Sequence, residues 1–279
     1  MKKVLWLFCV VIMLTGFQDH QDIPTKIEKV DLKLMGDEIA FTFINLPDGE
    51  STVIQNGKGE AILINTGNDN SKAQLKKTLD LYGVTSIQKI IITRLGEDYI
   101  GNLDWLVKEY AVKSVAVPSS ITKEDLPINI PLENWDVGKK ELLPGLQANV
   151  LQVTDQEKSM NISMKFGDHR FLFMSIASKV LEQELINQNT LKDVNIIKVA
   201  EFADNNGTSQ ELLEAVDPQI AIIFNKQSLY PSADVLERLQ NTWIDIYYTK
   251  QFGNVTIRCT ENHYEVITLT VESSNSVEN

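Results

Sequence analysis

Short apolar runs bounded by turn-forming residues alternate along this chain with stretches whose apolar positions recur at helical spacing. Ile39-Ala40-Phe41-Thr42-Phe43-Ile44 is rich in β-branched and aromatic residues and predicts a strand. Pro47-Asp48-Gly49 marks a turn, and Ser51 to Gln55 predicts a second strand. Asn56-Gly57-Lys58-Gly59 is a hairpin signal, followed by a buried strand at Ala61-Ile62-Leu63-Ile64 that ends in Asn65-Thr66-Gly67. Ala73, Leu75, Leu79 and Leu81, set among lysines, predict an amphipathic helix from Ser71 to Tyr82, closed by Gly83. A strand over Ile87 to Thr93, a helix over Asn102 to Tyr110 and a strand over Val112 to Val117 follow.

The second half repeats the alternation more loosely. Strands are predicted at residues 146–153, 162–166 and 171–175, the last two joined by the turn Gly167-Asp168-His169-Arg170. Helices over 178–188, 209–216 and 232–241 alternate with strands at 194–199, 220–225 and 244–249, and a strand at 255–258 closes the pattern. Ser209, with Glu211 in the first turn, suits a helix cap. Hairpin-linked strands followed by alternating units predict mixed sheets covered by helices. No linker interrupts the pattern, so residues 37–272 read as one domain, after a polar spacer at 18–36 and before a disordered tail at 273–279.

Ahead of the spacer, Lys2 and Lys3 precede a largely apolar run from Val4 to Gly16. That is the charged and apolar layout of a secretory signal. A spanning helix needs about 20 apolar residues, so residues 1–17 are expected to act as a signal peptide or an N-terminal anchor. Leu14-Thr15-Gly16 resembles the start of a lipoprotein cleavage box, but Phe17 stands where the lipid-bearing cysteine belongs. The expected location is outside the cytoplasmic membrane, extracellular or membrane-associated, without lipidation. Membrane contact is expected only through the N-terminal segment.

The 43% hydrophobic and 23% charged fractions are those of an ordinary globular protein. The net charge of −12 repels phosphate backbones and disfavours nucleic acid as a partner. Cys9 lies in the leader, so Cys259 has no intramolecular partner in a processed chain and suits a buried, inert thiol.

The turns carry a resemblance. Phe43-Ile44-Asn45-Leu46-Pro47-Asp48-Gly49-Glu50-Ser51 resembles F-x-D-V-G-Q-G-D-S, and Ile62-Leu63-Ile64-Asn65-Thr66-Gly67 resembles L-I-D-T-G. Residues 92–102, Ile-Thr-Arg-Leu-Gly-Glu-Asp-Tyr-Ile-Gly-Asn, stand where T-H-x-H-x-D-H-x-G-G is expected. These are motifs of the metallo-β-lactamase superfamily. Within it the chain is most similar to the C-terminal hydrolase domain of the bacterial competence DNA-uptake channel protein. Asn161-Ile162-Ser163, Ile197-Lys198-Val199-Ala200-Glu201-Phe202, Tyr230-Pro231-Ser232 and the Val235-to-Leu239 segment resemble that subfamily's N-x-S, L-K-V-x-H-H, H-P-S and V-L-E-R-L. The resemblance spans roughly residues 39–260. It implies a four-layer αββα sandwich, two mixed β-sheets flanked by helices.

The same resemblance implies a site for two zinc ions, held by His and Asp at about 2 Å, that supplies hydroxide near neutral pH. Residue by residue, the ligands are missing. The first two histidines fall at Arg94 and Gly96, Asp98 is kept, and the third histidine is Tyr99. The later aspartate falls at Ile176, the H-H-G-S histidine near Glu201 or Phe202, the supporting aspartate at Asn65 and the H-P-S histidine at Tyr230. The chain's histidines, His20, His169 and His263, lie outside those segments and read as surface residues. No zinc or other cofactor is expected.

Three uses of the remaining pocket are open. It can be closed or be a binding surface for a ligand, a cell-wall component or an envelope protein, with Arg94 paired to Asp98 or Glu201. It can be an all-oxygen site for a harder cation built from Glu97, Asp98, Glu201 and Asp204, with residual phosphodiesterase-like hydrolysis. Or Ser175 can be a metal-free nucleophile, although no histidine stands in a partner position.

Overall fold

A computed structural model describes residues 29–271 except 127 and 189, so the leader, the start of the spacer and the tail after 271 lie outside the described residues. The first half forms β1 (Ile39–Phe43), β2 (Thr52–Asn56), β3 (Ala61–Ile64), α1 (Lys72–Leu81), β4 (Lys89–Ile91), α2 (Glu97–Ile100), α3 (Leu103–Glu109), β5 (Ser114–Pro118) and β6 (Leu132–Trp135). The chain then passes to a second sheet: β7 (Gly138–Leu143), β8 (Leu146–Thr154), β9 (Ser159–Phe166), β10 (His169–Phe173), α4 (Lys179–Asn187), β11 (Ile196–Lys198), α5 (Gln210–Val216), β12 (Ile220–Ile223), α6 (Ala233–Asn241) and β13 (Asp245–Tyr248). After α7 (Thr249–Phe252), β14 (Asn254–Cys259) and β15 (Tyr264–Leu269) return to the first sheet.

The first sheet has the order β15-β14-β1-β2-β3-β4-β5-β6 and the second β13-β12-β11-β10-β9-β8-β7. In each, a hairpin-linked antiparallel part meets a parallel part: β3 to β6 run parallel in the first sheet, and β10 to β13 in the second. The two mixed sheets and their covering helices match the sandwich that the motifs implied.

Period-2 patterning explains the layering. Ile39, Phe41 and Phe43 of β1 point inward with Ile54, Ile62 and Ile64, and meet Phe171, Phe173, Ile196 and Ile222 of the second sheet. Phe41 stacks on Phe171 with ring centroids 3.9 Å apart. On the outer face of the first sheet, Val53, Leu63, Ile90 and Val115 pack against Leu75, Leu79, Leu103 and Leu106 from α1 and α3. Leu172, Ile197, Ala221 and Ile223 do the same on the second sheet against Leu185, Leu212, Leu213, Val235 and Leu239. Cys259 is fully buried in the middle layer, and desolvation pushes its thiol up to about 12. Ser209 caps α5 as its sequence suggested, accepting from the Leu212 amide at 3.2 Å.

Several details differ from the sequence reading. β6 and β7 lie in a stretch to which no strand was assigned. Both are edge strands with polar faces, such as Glu133, Lys139 and Lys140, so they lack an apolar run. The end of the supposed spacer is bound to the domain: the Val30 amide donates to Leu81 O at 2.8 Å, and Val30 and Leu32 pack on the outer core. His169 is not a surface residue. It is buried, its Nε2 lies 3.1 Å from Thr260 O, and its ring sits edge-on to Tyr264. His263 is exposed, as expected.

The stacked Phe41–Phe171 pair bridges the sheets at full burial, so truncation leaves a cavity in the least yielding layer. Phe41→Ala is expected to lower unfolding free energy by about 3–5 kcal/mol. Urea denaturation followed by circular dichroism measures it.

Candidate functional site

The loops that leave β3, β4, β10, β11 and β12 at their carboxyl ends gather at one edge of the sandwich, where α/β folds place ligands. Backbone bonds seam the two sheets together here: Met160 N donates to Thr93 O at 2.8 Å and Leu95 N to Lys158 O at 3.0 Å. Above this seam lies a cleft of about 320 Å³ lined by Arg94, Leu95, Gly96, Glu97, Asp98, Tyr99, Glu201, Phe202, Asp204, Lys226 and Leu229.

Arg94 follows β4 and enters the cleft from the first sheet. Its Nη1 pairs with Glu201 Oε1, and its guanidinium lies 5.6 Å from the centre of the Tyr99 ring. The other Glu201 oxygen accepts from the Ala177 amide at 2.9 Å. Glu201 sits in an unusual turn: Glu201, Phe202 and Ala203 have φ of 45°, 57° and 66°. Left-handed backbone in a non-glycine residue costs about 1–2 kcal/mol, so this run stands only because its contacts hold it. The Arg94 pair and the Ala177 amide are two of them.

Asp98, in α2, faces Lys226, which follows β12 of the second sheet. The Asp98 Oδ2–Lys226 Nζ distance is 2.7 Å, and Oδ1 accepts from Asn68 Nδ2 at 3.1 Å. Lys226 Nζ also lies 5.2 Å from the Phe202 ring centre. Two cation–carboxylate pairs therefore cross the cleft from sheet to sheet, Arg94 to Glu201 and Lys226 to Asp98.

A third cross-sheet pair lies beneath them. Lys198 Nζ of β11 meets Glu50 Oε2 at 2.6 Å, with side chains only 2% and 1% exposed. Glu50 Oε1 has no hydrogen-bond partner. Burial pushes the Glu50 carboxyl up from its ordinary value, and Lys198 pulls against that shift. The buried Tyr99 phenol is also driven well above its usual range, by desolvation first and by the Glu50 charge second.

The other motif positions are accounted for. Asn65 has a left-handed φ of 56° and sits under the cleft, its Oδ1 accepting from Thr93 N at 2.9 Å and its Nδ2 donating to Thr93 Oγ1 at 3.0 Å. Gly96 has φ 153°, which L side chains rarely adopt. Ile176 is buried, 6% exposed, and presents hydrocarbon. Glu97 is exposed in the first turn of α2, where the helix dipole favours an acidic residue. Asp204 Oδ1 accepts from Asn206 N at 2.8 Å. Tyr230 does not line the cleft; it is 76% exposed with Lys250 Nζ 4.8 Å from its ring centre. Ser175 is fully buried, and its hydroxyl donates to Met160 O at 2.7 Å, which ties it to the backbone.

These residues do not fit a zinc pair. A guanidinium, a glycine, a phenol and an isoleucine stand where the motif resemblance puts donors, and Asp98 and Glu201 already hold protein cations. Glu97, Asp98, Glu201 and Asp204 share the cleft, yet among the described residues no three His, Cys, Asp or Glu side chains converge on a metal position. Sequence reading found Arg94, Asp98 and Glu201 but missed Lys226, Glu50 as the partner of Lys198, and Asn68. Lys226 was detectable only as a lysine just past the end of a buried strand; its partner Asp98 lies 128 residues away along the chain.

No family model matches the chain. It is 24% identical to ComE operon protein 3 of Bacillus subtilis over 194 residues, 63% of this chain and 25% of that protein. It is 24% identical to Recombination protein 2 of Haemophilus influenzae over 230 residues, 77% of this chain and 28% of that protein. The chain thus spans about a quarter of the length of the curated relatives it matches. Among solved structures, the metallo-β-lactamase fold protein YhfI of Bacillus subtilis superposes with a TM-score of 0.58 at 12% identity, covering 80% of this chain and 100% of the other. Igni18, a metallo hydrolase of Ignicoccus hospitalis, gives 0.54 at 11% identity over 83% and 99%. Two helix-covered mixed sheets with a cleft at their shared edge, together with these likenesses, give the chain a metallo-β-lactamase fold and bear out the resemblance carried by its turns.

Proposed function

We propose that this is an exported metallo-β-lactamase-fold protein that acts at the cell envelope by binding or scaffolding and not by zinc-dependent hydrolysis. One observation carries the reading: Arg94, at the first ligand position, enters the cleft and pairs with Glu201, while Lys226 pairs with Asp98, the one ligand side chain kept. Fixed positive charge at a cation site opposes metal entry, and a preformed donor cage is what offsets dehydration of the ion. The cross-sheet pairs supply the strut that bridging ions would otherwise provide. The scaffold is kept and the loops remain free to present a surface. Function follows the site and not the fold, so hydrolysis does not follow from the relatives.

A second reading draws on the four carboxylates in one cleft: a hydrolase using magnesium or manganese. It requires Lys226 and Arg94 to release Asp98 and Glu201. Export draws on the leader and on the similarity to ComE operon protein 3; among the described residues no helix is long and apolar enough to cross a membrane.

Three outcomes are expected. The protein purified without the leader and dialysed against metal-free buffer carries no stoichiometric zinc or manganese by elemental analysis, and millimolar manganese leaves its melting temperature unchanged; one or two equivalents of bound metal would sink the proposal. Arg94→Ala and Glu201→Ala each destabilise the domain, and a double-mutant cycle between them returns a coupling of about 1 kcal/mol, the scale of a partly screened pair; zero coupling would mean the pair is no strut. In a cell expressing the tagged full chain, fractionation recovers the protein outside the cytoplasm, against which a wholly cytosolic signal would count decisively.

A further inference from the structure

We infer that the cleft between Arg94 and Lys226 is a binding site for a single oxyanion group, a phosphate or a carboxylate, on a small ligand, held by protein cations without any metal. The inference rests on the reading of this cleft as a binding site and names the chemistry it would take.

Two positioned cations with hydrogens left to donate carry the inference. Each carboxylate oxygen at the centre of the cleft already holds a protein donor. Glu201 gives one oxygen to Arg94 and the other to the Ala177 amide. Asp98 gives one to Lys226 and the other to Asn68. Both cations keep unused hydrogens. Arg94 spends Nη1 on Glu201 and on Ser175 O at 3.5 Å. For its Nε and Nη2 the described residues offer no acceptor besides the Tyr99 phenol. Lys226 spends one of three hydrogens on Asp98. Two charged groups in the cleft therefore have hydrogens left to donate, and charge-assisted bonds to an oxyanion are the strong form of that interaction.

Both cations are held in place and partly open to solvent. Arg94 lies against Tyr99 and Lys226 against Phe202, at 5.6 and 5.2 Å from the ring centres. Their side chains are 23% and 30% exposed, so neither is sealed. A planar guanidinium that is already positioned loses little freedom on binding an oxyanion, and its fork suits the geometry. Two charges oppose the ligand. Asp204 spends Oδ1 on the Asn206 amide, and Glu97 is exposed at the start of α2. Both line the wall together with the paired Asp98 and Glu201, so an anion is held only where it touches the two cations directly. The buried Lys198–Glu50 pair beneath is internally compensated.

The test titrates inorganic phosphate, and in a parallel arm acetate, into the purified full chain after dialysis into chelator-free, metal-depleted buffer, with ionic strength fixed with chloride, read by calorimetry. At least one of the two is expected to bind saturably in the millimolar range, with affinity falling about ten-fold, the loss of one charged bond, in Arg94→Gln and in Lys226→Gln. Arg94→Lys, which keeps the charge but loses the fork, is expected to bind more weakly than the unaltered protein. Lys165→Gln, in a separate cleft that also holds Arg170, should bind normally. Melting curves confirm folding, and because Lys226→Gln removes an amine at the rim, it serves if an Arg94 variant does not fold. No saturable binding of either anion up to about 20 mM, binding that survives both Gln variants, or binding lost in Lys165→Gln would each overturn the site. A silent titration in protein free of zinc defeats only the oxyanion assignment, whereas stoichiometric zinc defeats the binding-protein reading beneath it.

Discussion

Charge pairs running from one sheet to the other hold the functional edge of this sandwich. Glu50 to Lys198, Arg94 to Glu201 and Asp98 to Lys226 each take one partner from each sheet, and together they descend from the cleft into the core. The apolar middle layer fixes how far apart the sheets lie, but it is non-directional. The pairs fix which loop faces which. Without Arg94, the left-handed run from Glu201 to Ala203 loses one of the contacts that hold its strain.

Their burial is graded, and so is what they can contribute. The two upper pairs are partly hydrated and each gives a modest net stabilisation. The lower pair is sealed. Removing water from a carboxylate and an ammonium costs several kcal/mol per ion, which their attraction offsets only in good geometry. Glu50 accepts at one oxygen and leaves the other bare, and its carboxyl is driven up accordingly. The lower pair therefore serves register more than net stability, while the upper pairs serve the shape of the cleft.

How much of this could be read from the sequence depended on the range of the interactions. The inner strands were legible because alternation and apolar runs are local: β1, β3, β12 and the helix starting after Ser209 appear where their residues put them. The edge strands β6 and β7 were not, because an edge faces water and carries lysines and glutamates in place of an apolar run. His169 reads as solvated from its place in a turn, and only the packing of Tyr264 and the Thr260 carbonyl bury it. The motif positions were found from the turns, and with them Arg94, Asp98 and Glu201. Lys226 was missed because nothing near it in the chain marks it; its meaning comes from a carboxylate on another sheet.

Gly96 gives this arrangement a direction. Its φ of 153° belongs to a backbone that side-chain-bearing residues rarely adopt, so the turn holds a shape that an imidazole-bearing residue would strain. Placing a histidine there would require the peptide to swing as well as the residue to change, with the Tyr99 ring 3.5 Å from the new Cβ. Any side chain introduced at this position thus meets a main chain shaped for glycine, and accommodating it takes a change of backbone as well as of residue.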